Sequence, residues 1–288
     1  MPDPLDKKFT LADLRSARLS RRKIPFLTCY DYSMARLMQQ AGVPALLVGD
    51  SASNVILGYP STLPISLDFL IELTAAVRRG APNCLLVADM PFGSYQASDS
   101  QGFKNVARMV QLSGCDCVKI EVAASHARLV ARLADAGVAM IAHLGLRPQT
   151  VGLSGGYQAR GRTAADAMEI VKLAGQMERA GAAAILLEAV PPEVGAAVVE
   201  AVGLPVIGCG AGPACHAHVV VTHDAIGLTT GNKPRFVPQL ADLSKPLVDS
   251  LKEYVRLVTD GRYPAHEHFY EMPAPEKAAF IHPKPTEI

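Results

Sequence analysis

The sequence predicts an α/β protein, a (β/α)8 (TIM) barrel with an extra helix ahead of its first strand. Three observations carry this. Eight short, nearly continuous apolar runs recur along the chain, as expected of parallel strands covered on both faces. Helical patterns lie between most of them, which makes repeated β–α units. The length of 288 residues suits the ~250 residues typical of a closed barrel of this kind. An open, doubly wound sheet is the structural alternative.

Taken in order, residues 9–21, FTLADLRSARLSR, read as the leading helix, capped by Thr10. The predicted strands are PFLTCY (25–30), ALLVGD (45–50), CLLVADM (84–90), CVKIE (117–121), VAMIAHLG (138–145), AAILLEA (183–189), PVIGCG (205–210) and DAIGLTT (224–230). Helices are predicted over 31–42, 66–80, 125–137 and 164–181. Gly42, Gly137 and Gly181 supply the usual helix-ending residue. Ser66 is a candidate N-cap, with Asp68 in the first turn and Arg78 and Arg79 in the last, matching the helix dipole. Segment 213–222 is the weakest helical pattern, and 243–260 is the last long helix. The barrel domain is expected over 1–264. Residues 265–288, rich in proline and charge, read as an irregular tail.

Composition narrows the function. Hydrophobic residues make up 49% and charged residues 19%, a globular balance. A net charge of +1 gives no electrostatic case for a nucleic acid or an anionic membrane as partner. No apolar run reaches the ~18–20 residues of a membrane span. The N-terminal MPDPLDKKFTLADL has no apolar core of a secretory signal. The six cysteines form no CxxC pair, and Cys29, Cys84 and Cys209 lie in apolar runs, so no disulfide framework is expected. A reducing, cytoplasmic location follows as the expectation.

The charged residues inside the apolar runs are the informative ones. In VKIEV (118–122), Lys119 and Glu121 are two apart on one strand and therefore point the same way. Asp50, Asp89, His143 and Glu188 also fall at strand ends. Together these six groups occupy the carboxyl ends of five consecutive strands, the active face of a (β/α)8 barrel. Singly, each has a plain alternative: a strand-end Asp caps a turn, and a Lys beside a Glu is a solvated pair. Together, converging carboxylates repel unless a cation or proton lies between them. An all-oxygen set without cysteine suits a hard ion such as Mg2+. A metal with open positions beside a Lys and a further Glu suits enolate chemistry on an α-keto acid, with Glu188 as general base. GCGAG (208–212) is either an anion cradle or a tight turn, and CHAH (215–218) is a weak zinc pattern.

At these residues the chain resembles the ketopantoate hydroxymethyltransferase family. The resemblance rests on TCYDYSMARL (28–37), LLVGDS (46–51), STLPIS (61–66), TAAVRRGAPNCLLVADMPFGSY (74–95), VKIE (118–121), HLGLRPQT (143–150), GGYQARGR (155–162), LLEAVP (186–191), PVIGCGAG (205–212) and HDAIGL (223–228). They run in family order over about residues 24–264. The resemblance implies a (β/α)8 barrel and Mg2+-dependent transfer of a hydroxymethyl group from 5,10-methylenetetrahydrofolate to 3-methyl-2-oxobutanoate. The product would be 2-dehydropantoate, on the route to pantothenate and coenzyme A. It implies Asp50 and Asp89 as metal ligands, with Glu121 completing the metal environment through water. It further implies Asp50, Ser51, Asp89, Lys119 and His143 as substrate contacts, Glu188 as proton acceptor, and a homo-oligomer, commonly a decamer. The chain departs from the family pattern at Ala52, Ser53 and Asn54 and at His216, Ala217 and His218. Ala52–Asn54 are expected beside the substrate, and His216 and His218 on the same rim or at a subunit contact. The alternatives are a divergent relative acting on another 2-oxo acid, a lyase of the phosphoenolpyruvate mutase and isocitrate lyase type, or a barrel that binds a metabolite without chemistry. The lyases typically carry a Lys-Lys-Cys-Gly-like loop, which the sequence lacks.

Overall fold

The computed structural model describes residues 6–20, 22–229, 231 and 233–281. Eight parallel strands close on themselves in chain order, so the barrel is confirmed and the open sheet excluded. The chain begins with α1 (Leu11–Ser20), β1 (Ile24–Thr28), α2 (Tyr32–Gln40), β2 (Ala45–Val48), a single turn α3 (Ala52–Val55), α4 (Leu67–Gly80) and β3 (Leu85–Asp89). Next come α5 (Asp99–Ser113), β4 (Cys117–Glu121), α6 (Ala127–Asp135), β5 (Met140–Gly145), a short α7 (Val151–Ser154), α8 (Ala164–Arg179) and β6 (Ala184–Glu188). Then follow α9 (Pro192–Ala201), β7 (Val206–Cys209), β8 (Ala217–Val220), α10 (Thr222–Ala225), α11 (Ser244–Thr259) and α12 (Ala274–Ile281).

Seven strands lie within two residues of their sequence-predicted bounds; the eighth does not. β8 is Ala217–Val220, and the run expected as the last strand, 224–230, starts inside α10. Thr230 lies outside the described residues. The expected helix over 213–222 is therefore replaced by a turn and a strand. The β-branched run Val219–Val221 favours a pleated strand, and β8 completes the closure by pairing Phe26 with Val219 and Ile207 with Ala217. Helices α5 and α9 occupy connections where the sequence singled out none.

Local chemistry explains five of the helix starts. Thr10 and Asp13 bond reciprocally, Thr10 N donating to Asp13 Oδ2 at 2.8 Å and Asp13 N to Thr10 Oγ1 at 3.4 Å. Asp31, Ser66, Ser98 and Thr163 each accept a main-chain N–H of the first turn of their helices.

The strands sort their side chains into two apolar layers. One parity, including Val48, Leu86, Ala88, Val118, Ile120, Ala142, Leu144 and Ile185, packs outward against the helices. The other, including Phe26, Leu47, Val87, Cys117, Ile141 and Leu186, fills the barrel with Leu14 and Ala17 of α1. The helix ahead of β1 thus seals the amino end of the barrel, where Arg18 also donates to the Val202 carbonyl at 3.3 Å. The cysteines are free, and all but Cys209 are buried.

Two compact units are distinguished, Met1–Leu240 and Ala241–Ile288. Residues 243–260, expected within a barrel domain ending at 264, fall in the second unit. Within the second unit, α12 forms where an irregular tail was expected; residues 282–288 of that tail lie outside the described residues. No helix is long and apolar enough to cross a membrane among the described residues.

The GCGAG stretch is a packing turn. Gly210 has φ +70°, and a Cβ there would lie 2.4 Å from the Phe236 ring. Gly195 in α9 abuts the same turn, with room for no side chain: a Cβ would stand 2.1 Å from the Ala211 carbonyl oxygen. Gly195→Ala is therefore expected to cost about 1–3 kcal/mol through overpacking. Thermal unfolding should show a melting temperature lower by about 2–4 °C per kcal/mol; an unchanged melting temperature would contradict the contact.

Candidate active site

Residues of one parity carry the polar groups to the carboxyl end of the barrel. Leu85, Val87 and Asp89 follow one another inward on β3; Cys117, Lys119 and Glu121 do so on β4; Ala184, Leu186 and Glu188 on β6. The registers set them side by side, Asp89 opposite Lys119, Glu121 opposite His143, and Gly145 opposite Glu188. Asp50 and Ser51 follow β2 at the start of the turn into α3.

Asp50, Ser51, Asp89, Lys119, His143 and Glu188 all line one cavity of about 100 Å³. Glu121 stands behind it, its Oε1 4.0 Å from His143 Nδ1. Asp50, Asp89, Lys119, Glu121 and His143 are each at most 6% exposed. The main-chain N–H of Asp50 donates to Asp89 Oδ2 at 3.0 Å, which ties the two aspartates together. Lys119 Nζ lies 3.1 Å from Asp89 Oδ1 and 3.2 Å from His143 Nδ1. An ammonium only donates, so Nδ1 of His143 is the acceptor and its proton sits on Nε2, 3.3 Å from Glu188 Oε2.

The site is short of positive charge. Burial pushes the carboxyls of Asp89 and Glu121 above the usual range, and the neighbouring Asp50 adds to the effect. Burial likewise raises Glu188, to about 7, with Lys119 partly opposing it. Burial pulls the Lys119 ammonium down, but Asp89, Asp50 and Glu121 outweigh it and its pKa is raised. His143 is held neutral, well below its usual value, by burial and by the Lys119 charge. No three His, Cys, Asp or Glu side chains stand close enough to hold a metal ion by themselves among the described residues. A hard divalent ion nevertheless fits the donor set. Asp50 and Asp89 offer carboxylate oxygens from the ends of adjacent strands, and among the described residues buried Asp89 Oδ1 has the Lys119 ammonium, 3.1 Å away, and no other hydrogen-bond partner. Mg2+ needs only one or two carboxylates when waters and substrate oxygens complete its octahedron.

Three polar residues at the mouth were not singled out in the sequence. Tyr30 is buried with its hydroxyl 2.8 Å from Ser51 Oγ. Tyr95 and Gln149 are buried beside Asp50 and Glu121. Each lies inside a stretch carrying the family resemblance, but none is ionised, and only Tyr30 ends a predicted strand, PFLTCY, so the pattern of charged strand-end residues does not mark them. The expectation for Ala52–Asn54 is corrected, and so is the rim alternative for His216 and His218. Ala52, Ser53 and Asn54 do not line the cavity: Ser53 Oγ donates to the Ser61 carbonyl at 2.7 Å and Asn54 Nδ2 to the Tyr59 carbonyl at 2.8 Å, so they brace their own loop. His216 and His218 are not on this rim. His216 precedes β8 at the amino end and accepts the Val206 N–H at 3.0 Å, and His218 packs against Gly208 within the strands.

The profile of a family described as ketopantoate hydroxymethyltransferase matches residues 8–266. A protein named 3-methyl-2-oxobutanoate hydroxymethyltransferase from Geobacillus thermodenitrificans is 43% identical over 270 residues, 94% of this chain and 97% of its own. One of the same name from Frankia casuarinae is 42% identical over 269 residues, 93% of this chain and 90% of its own. Among solved structures, phosphonopyruvate hydrolase matches 94% of both chains with a TM-score of 0.59 at 16% identity. A 2,3-dimethylmalate lyase of the PEP mutase/isocitrate lyase superfamily matches 92% of both with a TM-score of 0.57 at 17% identity. Those two share the fold; by sequence, over nearly its whole length, the chain belongs to the ketopantoate hydroxymethyltransferase family.

Proposed function

We propose that this protein is a 3-methyl-2-oxobutanoate hydroxymethyltransferase. It takes the one-carbon unit of 5,10-methylenetetrahydrofolate and forms 2-dehydropantoate, a step toward pantothenate and coenzyme A. The observation that carries this reading is the convergence of Asp50, Asp89, Lys119 and Glu188 on one cavity, in a chain whose relatives bear that name.

Asp50 and Asp89 would hold Mg2+, and Glu121, set back from the cavity, would reach it through water. When bound, the ion supplies a Lewis acid for the keto and carboxylate oxygens of the acid. Lys119 balances the negative charge that grows on the substrate oxygen when C3 loses its proton. Glu188 accepts that proton; its raised pKa suits a base working near neutrality. Neutral His143, its Nε2 3.3 Å from Glu188 Oε2, faces the base without adding a second cation. Ser51, held by Tyr30, contacts the keto acid. C3 then bonds to the one-carbon unit as that unit's bonds to the two folate nitrogens break; one water supplies the hydroxyl oxygen, and the folate leaves as tetrahydrofolate with both nitrogens protonated by the C3 proton and the water. The lyase alternative has fold likeness in its favour, but no cysteine of this chain follows a Lys-Lys pair. A cytoplasmic location fits a folate-dependent biosynthetic step. A homo-oligomer, a decamer by resemblance, is supported by α11, which leaves Leu247, Leu251, Tyr254, Val255 and Val258 half-exposed along one face.

Asp89→Asn is expected to weaken Mg2+ binding in calorimetry and to lower turnover by on the order of 100-fold or more. Unchanged Mg2+ affinity would remove Asp89 from the ligand set.

Glu188→Gln should still bind the keto acid, but exchange of its C3 hydrogen with deuterated water should fall about 100- to 10,000-fold. Wild-type exchange in that variant would assign the base elsewhere. The base must be deprotonated to act, so the sign is set by a raised carboxyl pKa. In the parental protein kcat/KM should rise with pH up to about 7 and level off above. A profile flat from about pH 5 to about pH 9 would contradict it.

A further inference from the structure

Gln149 follows β5, is 6% exposed, and engages both side-chain polar atoms and its main-chain N–H at the mouth. Its Nε2 donates to Asp50 Oδ2 and to the Met90 carbonyl, both at 2.9 Å. Its Oε1 accepts from the Tyr95 hydroxyl at 2.8 Å and from Gln96 Nε2 at 3.1 Å. Its main-chain N–H lies 3.1 Å from both oxygens of Glu121. The partners dictate the amide's orientation. A carboxylate and a carbonyl only accept, so the NH2 end faces them. A phenol and an amide NH2 donate to the other end.

A neutral amide has a particular use here. It fixes the plane of the Asp50 carboxylate through one oxygen and leaves its negative charge in place. A Lys or Arg at this position would bind the same oxygen and compete with a cation for it. A nonpolar residue would leave Asp50 Oδ2 and the Met90 carbonyl buried without this partner.

We propose that Gln149 is a positioning residue that holds Asp50 through its side chain, and Glu121 through its main chain, in the orientation that receives a divalent cation. This rests on the metal reading above. Outer partners of metal-binding carboxylates commonly set affinity by about 10–100-fold, and the same size of effect is expected here.

The test uses the full chain and Mn2+ alone, followed by electron paramagnetic resonance. Gln149→Met keeps the volume and removes the side-chain bonds; Tyr95→Phe removes one donor that aims the amide. Mn2+ affinity should fall about 10–100-fold in Gln149→Met and by less in Tyr95→Phe. In Gln149→Met, kcat should recover at saturating Mn2+, with KM for the keto acid close to parental. Variants that melt cooperatively and bind Mn2+ within about twofold of the parental protein would make Gln149 a structural prop and overturn the proposal. If Gln149→Met does not fold, parental affinity in Tyr95→Phe overturns it equally. A parental protein that binds no Mn2+ would instead sink the metal reading itself, and this proposal with it.

Discussion

One ammonium, Lys119 Nζ, serves four carboxylates. It stands 3.1 Å from Asp89 Oδ1 and 3.2 Å from His143 Nδ1 at 6% exposure, with Asp50, Glu121 and Glu188 around the same mouth. Removing charges from water costs several kcal/mol each unless they are paired and hydrogen-bonded. The surroundings of the site answer to that constraint. Main-chain N–H groups of Asp50 and Gln149 bond to Asp89 and Glu121. His143 is neutral, which spares the site a second buried cation but leaves the deficit standing. What remains is a preference for a bound cation or for protons on Asp89 and Glu121, and that preference is the chemical resource of the site.

The barrel makes the constraint bearable. Charges this close need a rigid frame, because an oxygen displaced by an ångström loses its partner. The frame comes from closure: every strand is bonded on both sides, so no edge is free to move. Apolar layers inside and outside the wall hold each strand at fixed height. α1 seals the end opposite the site and keeps water from the inner layer. Close contacts such as Gly195 against Ala211 keep the turn after β7 pressed to its helix. Dense packing below thus supports a strained charge arrangement above.

Where the sequence reading went astray, the cause was competition between equally local signals. HAHVVV, residues 216–221, mixes polar and β-branched residues, and DAIGLTT further on was expected as the last strand in its place. Only pairing with both β1 and β7 decides between them. The loop after Ser51 was expected to face the substrate because it adjoins Asp50 in sequence. A single helical turn at Ala52–Val55 instead rotates Ser53 and Asn54 back onto Ser61 and Tyr59. At Ala52–Asn54, where the chain departs from the expected family pattern, this turn gives Ser53 and Asn54 the task of bracing the loop.

The sequence by itself determined the barrel and its polar mouth. Apolar runs with a period of two impose which side chains face inward, and a Lys or Glu on that inward parity at a strand's end has nowhere else to go. That is why Asp89, Lys119, Glu121, His143 and Glu188 were legible as a set, and why a resemblance across the chain agreed with them. Tertiary structure decided the rest. The registers across β3 to β6 chose which charge meets which, the amide of Gln149 joined Asp50 to the Tyr95 hydroxyl across three separate loops, and His143 acquired its tautomer from Lys119. Such facts depend on distances between residues far apart in the chain, and a one-dimensional pattern carries no distances beyond its own period.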